Sequence, residues 1–231
     1  MRVSTLTLDI RTTRSSTVPL PAAAKGLAVS SSGDAYVATA DSLLALKAGS
    51  NSFTATKLAS TSPASAVGLS RKGDLIAVGS EDGKVAIFTS SSTSSPRNTL
   101  EKNRYTVTAI SFSPSGDLIA VGDSTGKILV YSTAEPGDLK FNQWVFHTSR
   151  ITSLDWTQDG AYLVSCSLDT HVYIWNAQKP MRRIEGKNLH AGGVNFVSWL
   201  QWTKSEGQEA GVVSAGSDGA LKVVSGSRSV L

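Results

Sequence analysis

A segment of about 43 residues recurs along the chain, and this repetition constrains the fold more than any other feature of the sequence. Its anchors are Gly33, Gly73, Gly116 and Gly160, which are separated by 40, 43 and 44 residues. Four full copies and a fifth, shorter copy occupy residues 30–46, 70–88, 113–131, 157–175 and 211–224. A unit of this size cannot bury its own hydrophobic face, so the copies are expected to stack against one another.

Within each copy, short apolar segments alternate with turn dipeptides. Pairs such as Gly73-Asp74 and Asp82-Gly83 favour tight hairpins, because Gly and Asp tolerate positive φ. The segment 75–78 between them is apolar on both faces, whereas a sheet exposed on one side would alternate apolar and polar residues. Small antiparallel sheets stacked face to face, with four strands in each repeat, predict an all-β chain with the architecture of a β-propeller.

The composition excludes several classes of protein. With 40% hydrophobic and 17% charged residues, the chain is too apolar to be disordered and too poor in charge for a helical bundle. The single cysteine, Cys166, leaves neither a disulfide framework nor a cysteine cluster for a metal, and no cofactor is predicted. The net charge is +4 without a run of five basic residues, so no nucleic-acid partner is predicted. No stretch reaches the ~18 apolar residues of a membrane helix, so no membrane partner is predicted either.

Counting strands divides the chain into propeller blades. Four complete four-stranded blades and a partial fifth are predicted within 26–231, at about 27–59, 65–101, 107–146, 151–185 and 194–224. Residues 1–25 hold a predicted strand at 3–10 and a connection from a preceding or closing blade. That strand either closes a five-bladed ring as the missing outer strand of the last blade, or ends a preceding blade of a larger propeller. We favour the larger propeller, because 11–25 has the character of an ordinary connection between blades.

The block 165–175 and the histidine ahead of it resemble the WD-repeat family of propellers. The block resembles the family's segment Ser-x-Ser-x-Asp-x-x-Val-x-x-Trp, and a second histidine, His190, precedes the next blade in the same way as His147. The resemblance implies that His147, Ser165, Asp169 and Trp175 form the structural hydrogen-bonded tetrad of one blade. Other blades depart from the pattern at Asn103 (for His), Thr125 (for Asp), and Phe88, Tyr131 and Val224 (for Trp).

His147, Ser165 and Asp169 are also the residue types of a hydrolase triad. The sequence lacks a Gly-x-Ser-x-Gly elbow, and Ser165 lies inside a predicted strand rather than on a strand-to-helix turn. The structural interpretation is therefore preferred, and the chain is predicted not to be an enzyme. A solvent-exposed pocket containing His147 would favour the enzyme interpretation again.

A closer resemblance covers 147–200, which is similar to the C-terminal propeller of the actin-interacting protein 1 family. Its marks are the segments 167–170, 179–184 and 192–195, which lie in turns and outer strands that vary freely in generic WD repeats. The family has two joined propellers, and this chain matches only the last part. The resemblance implies a non-catalytic protein of the cytoplasm and actin cytoskeleton, which binds actin filaments decorated with cofilin and promotes their disassembly. The alternative is a generic WD-repeat scaffold subunit of another intracellular complex.

The loops preceding the first strand of each blade are the candidate partner-binding rim, since propellers present loops on a rigid scaffold. These candidates are Arg104, Tyr105, Ser149, Arg150, Ala191 and Gly192. The opposing interpretation is that they are ordinary solvated loop residues.

Overall fold

The structure is a computed structural model that describes residues 20, 22–30, 33–40, 42–48, 53–57, 63–92, 94–134, 137–204 and 207–227. The described residues form nineteen strands and no helix. The first eight strands are β1 (Ala24–Val29), β2 (Ala35–Thr39), β3 (Ser42–Ala48), β4 (Phe53–Lys57), β5 (Ala64–Leu69), β6 (Leu75–Ser80), β7 (Val85–Thr89) and β8 (Asn98–Leu100). The next eight are β9 (Val107–Phe112), β10 (Leu118–Asp123), β11 (Ile128–Ser132), β12 (Leu139–Trp144), β13 (Ile151–Trp156), β14 (Tyr162–Ser167), β15 (Val172–Asn176) and β16 (Arg183–Gly186). The last three are β17 (Val194–Lys204), β18 (Gly207–Gly216) and β19 (Leu221–Ser227).

The strands form antiparallel meanders in chain order. Four sheets have four strands each, namely β1–β4, β5–β8, β9–β12 and β13–β16, and β17–β19 form a three-stranded sheet. We call these sheets blades one to five. The first strands of successive blades pack side by side, so each blade stacks on the next. The predicted all-β propeller fold is confirmed, whereas the predicted strand at 3–10 lies outside the described residues.

The hydrophobic core lies between the blades. Between blades two and three, Val85, Val107 and Ile119 are fully buried. Between blades three and four, the stacked rings of Trp144 and Trp175 are buried with centroids 5.1 Å apart. Burying a side chain of this size contributes roughly 1.5–3 kcal/mol, so the continuous inter-blade core accounts for the apolar character of both strand faces.

A hydroxyl on the second residue of the inner strand fastens blades two, three and four each to the following blade. In three successive blades the hydroxyl donates to the carbonyl oxygen of the first residue in the following inner strand. The pairs are Ser65 to Val107 (2.7 Å), Thr108 to Ile151 (2.7 Å) and Thr152 to Val194 (2.6 Å). The donor occupies the same position in each of these three strands. The hydrogen bond therefore fixes the position of one blade relative to the next along the strand direction.

The second strands of blades two and three approach the next blade so closely that one position on each has to be glycine. A Cβ atom at Gly122 would lie 2.6 Å from Cγ2 of the fully buried Ile151, and one at Gly79 would lie 2.7 Å from Cβ of Val107. Real Cβ atoms do not make such contacts. These glycines are therefore required by packing between blades rather than by a turn.

Replacing Gly122 with alanine is expected to lower the free energy of unfolding by about 1–3 kcal/mol, because overpacking pushes Ile151 out of its place. The exposed Ser115→Ala variant, on the preceding turn, is the control and should stay within about 0.5 kcal/mol of the parent. Urea denaturation of the three proteins measures both differences. Equal stability of Gly122→Ala and the parent would contradict the close approach of blades three and four.

Candidate functional site

Four side chains of blade four form a continuous chain of hydrogen bonds. His147 lies in the loop before β13, Ser165 on β14, and Asp169 in the turn that follows β14. The His147 imidazole is 2.9 Å from Asp169 through Nδ1 and 2.8 Å from the Ser165 hydroxyl through Nε2. Trp175 on β15 donates its indole N–H to Ser165 Oγ at 2.8 Å. The tetrad thus ties the loop entering the blade to its second and third strands.

The proton arrangement of this tetrad follows from the donors available. Asp169 also accepts the backbone N–H of Thr148 at 2.9 Å, through the same oxygen that contacts His147, so this oxygen acts as an acceptor. In the neutral imidazole, His147 therefore donates from Nδ1–H to Asp169, and its Nε2 accepts the Ser165 hydroxyl. Every polar atom of the imidazole is then satisfied, which suits a structural role.

Burial separates this group from a hydrolase triad. His147 is 4% exposed and Ser165 is fully buried, and the Ser165 oxygen already contacts both His147 and Trp175. Two cavities of the described surface, of about 410 and 590 Å³, are lined by other residues. A nucleophile needs access to a substrate, and Ser165 has none.

The electrostatics of Asp169 reflect its partners. Burial raises the pKa of this carboxyl, but the hydrogen bonds from His147 and from the backbone N–H groups of His171 and Thr148 outweigh burial and lower the pKa to about 2. The ionised carboxylate is thus the form that the folded blade favours.

Blade five repeats most of this arrangement. His190 Nδ1 is 2.8 Å from Asp218 and its Nε2 is 2.9 Å from the Ser214 hydroxyl. The hydrogen bond from His190 is the largest influence on Asp218 and lowers its pKa to about 2. Val224 stands where Trp175 lies in blade four, and it is 54% exposed. The histidine, serine and aspartate therefore assemble without the tryptophan.

Blades two and three use other pairs at the same turn. In blade two, the Ser80 hydroxyl donates to Asp82. In blade three the hydroxyl and the carboxylate exchange positions. Asp123 accepts the hydroxyl of Thr125 at 2.7 Å and the backbone N–H of Thr125 at 2.8 Å. Sequence analysis noted the replacement at Thr125 but missed Asp123. A signal was available, because a carboxylate two residues before a lost carboxylate can restore the same turn.

Blade three also replaces the histidine. Asn103 is buried at the position of His147, and its side-chain oxygen accepts the hydroxyl of Tyr131, which stands where Trp175 lies in blade four. Burial raises the pKa of Tyr131, so the phenol remains a donor. An amide and a phenol thus span the space that an imidazole and an indole occupy in the next blade.

The six rim candidates lie together at one end of the blades, in the loops before β9, β13 and β17. We call Arg104, Tyr105, Ser149, Arg150, Ala191 and Gly192 the rim. All are exposed except Ser149, which is half-buried. The Ser149 carbonyl accepts the Ser167 hydroxyl at 2.9 Å, and the Arg150 carbonyl accepts the Leu168 N–H at 3.2 Å. The backbone of the rim is therefore fixed to the neighbouring turn while its side chains face solvent.

Sequence analysis missed two apolar side chains at the same end of the blades. Phe146 is 38% exposed and packs on Trp175, and Leu168 is 42% exposed. Periodicity could not have identified them, because both lie in loops. They add apolar area beside the rim.

Metal-ligating side chains and long apolar helices can be assessed for the described part of the chain. No group of three or more His, Cys, Asp or Glu side chains there could hold a metal ion. The same residues include no helix that is long and apolar enough to cross a membrane.

Comparison with known proteins shows that the chain contains WD40 repeats. A family model described as "WD domain, G-beta repeat" matches residues 141–176, and the model "Anaphase-promoting complex subunit 4 WD40 domain" matches 67–143. The chain is 35% identical over 157 residues to the 66 kDa stress protein of Physarum polycephalum, covering 68% of this chain and 25% of that protein. It is 32% identical over 200 residues to actin-interacting protein 1 of Caenorhabditis elegans, covering 85% of this chain and 31% of that protein.

The chain therefore spans between a quarter and a third of the length of these curated relatives. Among solved structures, a chain of the mitotic checkpoint complex superimposes with a TM-score of 0.75 at 21% identity, covering 97% of this chain and 74% of that one. At this identity the likeness concerns the fold alone. It agrees with a propeller of stacked four-stranded blades.

Replacing His147 with alanine is expected to lower the free energy of unfolding by about 1–3 kcal/mol, because the buried Ser165 hydroxyl and the Asp169 carboxylate lose their common partner. His171→Ala is the matched control, since His171 lies on the turn that carries Asp169 but is only half-buried, and a smaller loss is expected. Thermal and urea unfolding measure the difference. Equal losses for the two variants would count against the tetrad.

Asp169 should also make stability depend on pH. Its pKa is about 2 in the folded blade and about 3.9 in an unfolded chain, so the carboxylate stabilises the fold above pH 4 and this contribution disappears as the pH falls toward 2. Urea unfolding of the parent at pH 5, 4, 3 and 2 should show the loss, and Asp169→Asn should show a shallower decline. An identical decline in both proteins would contradict this assignment.

Proposed function

We propose that this WD-repeat chain, which is similar to actin-interacting protein 1, binds actin filaments decorated with cofilin and promotes their disassembly in the cytoplasm. The single observation that carries the proposal is the similarity to actin-interacting protein 1, which extends over most of this chain. The mark at 179–184 lies in the turn before β16 and on that outer strand, where a generic repeat has no need of particular residues.

The chemistry proposed is binding without catalysis. A protein that binds two states of a filament with different affinity shifts the equilibrium toward the state it prefers. Disassembly therefore requires that the chain binds decorated subunits, or the ends they form, more tightly than undecorated filament. A rigid scaffold suits this task, because little entropy is lost when a fixed surface docks.

The rim is proposed as the contact surface. Tyr105 is 54% exposed and offers a large apolar ring with a polar tip, which is typical of an interface anchor. Within the described residues, neither Arg104 nor Arg150 forms an ion pair with a carboxylate. Two uncommitted cations beside an aromatic ring support recognition of an acidic protein surface.

A second candidate function is a scaffold subunit of another intracellular complex. The observation that favours it is the match of 67–143 to the WD40 domain of anaphase-promoting complex subunit 4. This candidate requires only the propeller surface and no preference for actin. The filament experiment separates the two candidates.

Co-sedimentation of the full chain with cofilin-decorated actin filaments tests the proposal. We expect binding to decorated filaments that is at least about tenfold tighter than binding to bare filaments, a difference of about 1.4 kcal/mol. Tyr105→Ala and Arg150→Glu should each weaken it by about tenfold or more. Lys72→Glu is the matched control, because Lys72 is an exposed cation in the turn after β5, at the opposite end of the blades.

The absence of the parent chain from the decorated filament pellet would contradict the proposal. Equal binding by the parent and by both rim variants would contradict the rim as the contact surface. Binding that Lys72→Glu weakens as strongly as Arg150→Glu would reduce the interaction to unspecific charge.

A further inference from the structure

The outer edge of blade four carries a cluster of basic side chains. Four exposed cations lie on β16 and beside its two ends: Lys179 and Arg182 in the turn before the strand, Arg183 on the strand and Lys187 directly after it. The acidic residue of the same segment is Glu185. The turn between β15 and β16 lies at the end of the blades opposite the rim, and β16 runs from that turn back toward the rim end. This edge plays no part in the function proposed above.

The turn between β15 and β16 is held in a fixed conformation. Asn176 accepts the backbone N–H of Gln178 at 2.9 Å and of Lys179 at 2.8 Å through its side-chain oxygen. The buried Trp144 of blade three donates its indole N–H to the Pro180 carbonyl at 2.9 Å. The cations are therefore presented on an ordered turn, which lowers the entropic cost of binding.

Three of the four cations have no acidic partner among the described residues. Glu185 accepts the Tyr173 hydroxyl at 2.7 Å and forms an ion pair with Lys187 at 3.5 Å. Arg183 lies 3.4 Å above the centre of the Phe146 ring, which orients the guanidinium without neutralising it. Lys179, Arg182 and Arg183 thus form a surface of uncompensated positive charge.

Cations beside two other outer edges in the described ranges are paired with carboxylates. Lys84 pairs with Glu101 at 3.5 Å beside β8, and Lys140 of β12 lies 4.0 Å from Asp138. Basic residues on an edge strand also protect it from pairing with other chains. Protection from other chains alone does not explain this edge, because the apolar side chain of Met181 beside it is 72% exposed and favours contact with another chain.

The backbone of β16 offers hydrogen bonds to a further strand. The Asn176 N–H donates to the Arg182 carbonyl, and Ile174 pairs with Ile184 in the antiparallel register. Because inward and outward groups alternate along such a ladder, the N–H and C=O groups of Arg183 and Glu185 point away from β15. A cavity of about 410 Å³ lies alongside, lined in part by Ile174, Met181 and Ile184.

We propose that β16 binds an extended acidic peptide segment of a partner protein by strand addition. The partner backbone pairs with Arg183 and Glu185, its carboxylates face Lys179 and Arg182, and an apolar side chain between them enters the cavity beside Met181. Nucleic acid fits less well, because three cations neutralise few phosphates and the free backbone edge and apolar cavity have no counterpart in it.

Fluorescence anisotropy with the full chain tests this proposal. The probe is a dye-labelled peptide of seven residues that alternate Glu with Val or Leu. Two comparison peptides have Lys in place of Glu, or have the backbone N-methylated at alternate residues. The third comparison probe is a single-stranded oligonucleotide of seven nucleotides. We expect saturable binding of the acidic peptide alone. Lys179→Glu/Arg182→Glu should weaken it by about tenfold or more, since both positions are exposed and the fold is preserved.

Lys140→Glu is the matched control, because it reverses an exposed cation on a compensated outer strand, and binding should change less than twofold. Circular dichroism and the melting temperature confirm that each variant folds. No binding of the acidic peptide, or equal binding by the double variant and the parent, overturns the proposal. Equal binding of the N-methylated peptide overturns strand addition, and tighter binding of the oligonucleotide overturns a peptide partner.

Discussion

The packing of one sheet face against the next is the constraint on which the rest of this structure depends. A four-stranded sheet with apolar residues on both faces is unstable alone, and it becomes stable only between two neighbours. The inner strands approach closely enough to exclude a Cβ atom at Gly79 and Gly122. Hydrogen bonds of 2.6–2.7 Å from serine and threonine hydroxyls to carbonyl oxygens of the following blade then fix the relative positions of blades two to five. The repeat length of the sequence is the consequence of this geometry.

Once the blades are stacked, polar groups at one end fix the loops between them. His147 reaches from a connecting loop into blade four and engages both Asp169 and Ser165, so the loop cannot move independently of the blade. Blade three reaches the same result with Asn103 and Tyr131. Different side chains satisfy one requirement, which is to join the entering loop to the third strand. The surface at this end is rigid as a result, which suits recognition better than catalysis.

The two ends of the blades present different chemistry. The rim combines Tyr105 with the cations Arg104 and Arg150 on backbone that is fixed by hydrogen bonds. The opposite end of blade four presents a basic edge strand, whose turn is anchored by Trp144 of blade three. Both surfaces depend on contacts between neighbouring blades, and neither could exist on an isolated repeat. A propeller can in this way separate two binding surfaces while it keeps the distance and orientation between them fixed.

The sequence by itself determined the repeat, the strand pattern and the turns, because these depend on apolar periodicity and on glycine and aspartate within a few residues. It also placed His147, Ser165, Asp169 and Trp175 in one blade through a family resemblance. Only the tertiary structure decided that Asp123 and Thr125 exchange the roles held by Ser80 and Asp82, and that Arg183 rests on Phe146. Hydrogen-bond partners and exposure depend on groups brought together across a hairpin or from the next blade. Such contacts follow from how the sheets stack, and no local pattern of residues records them.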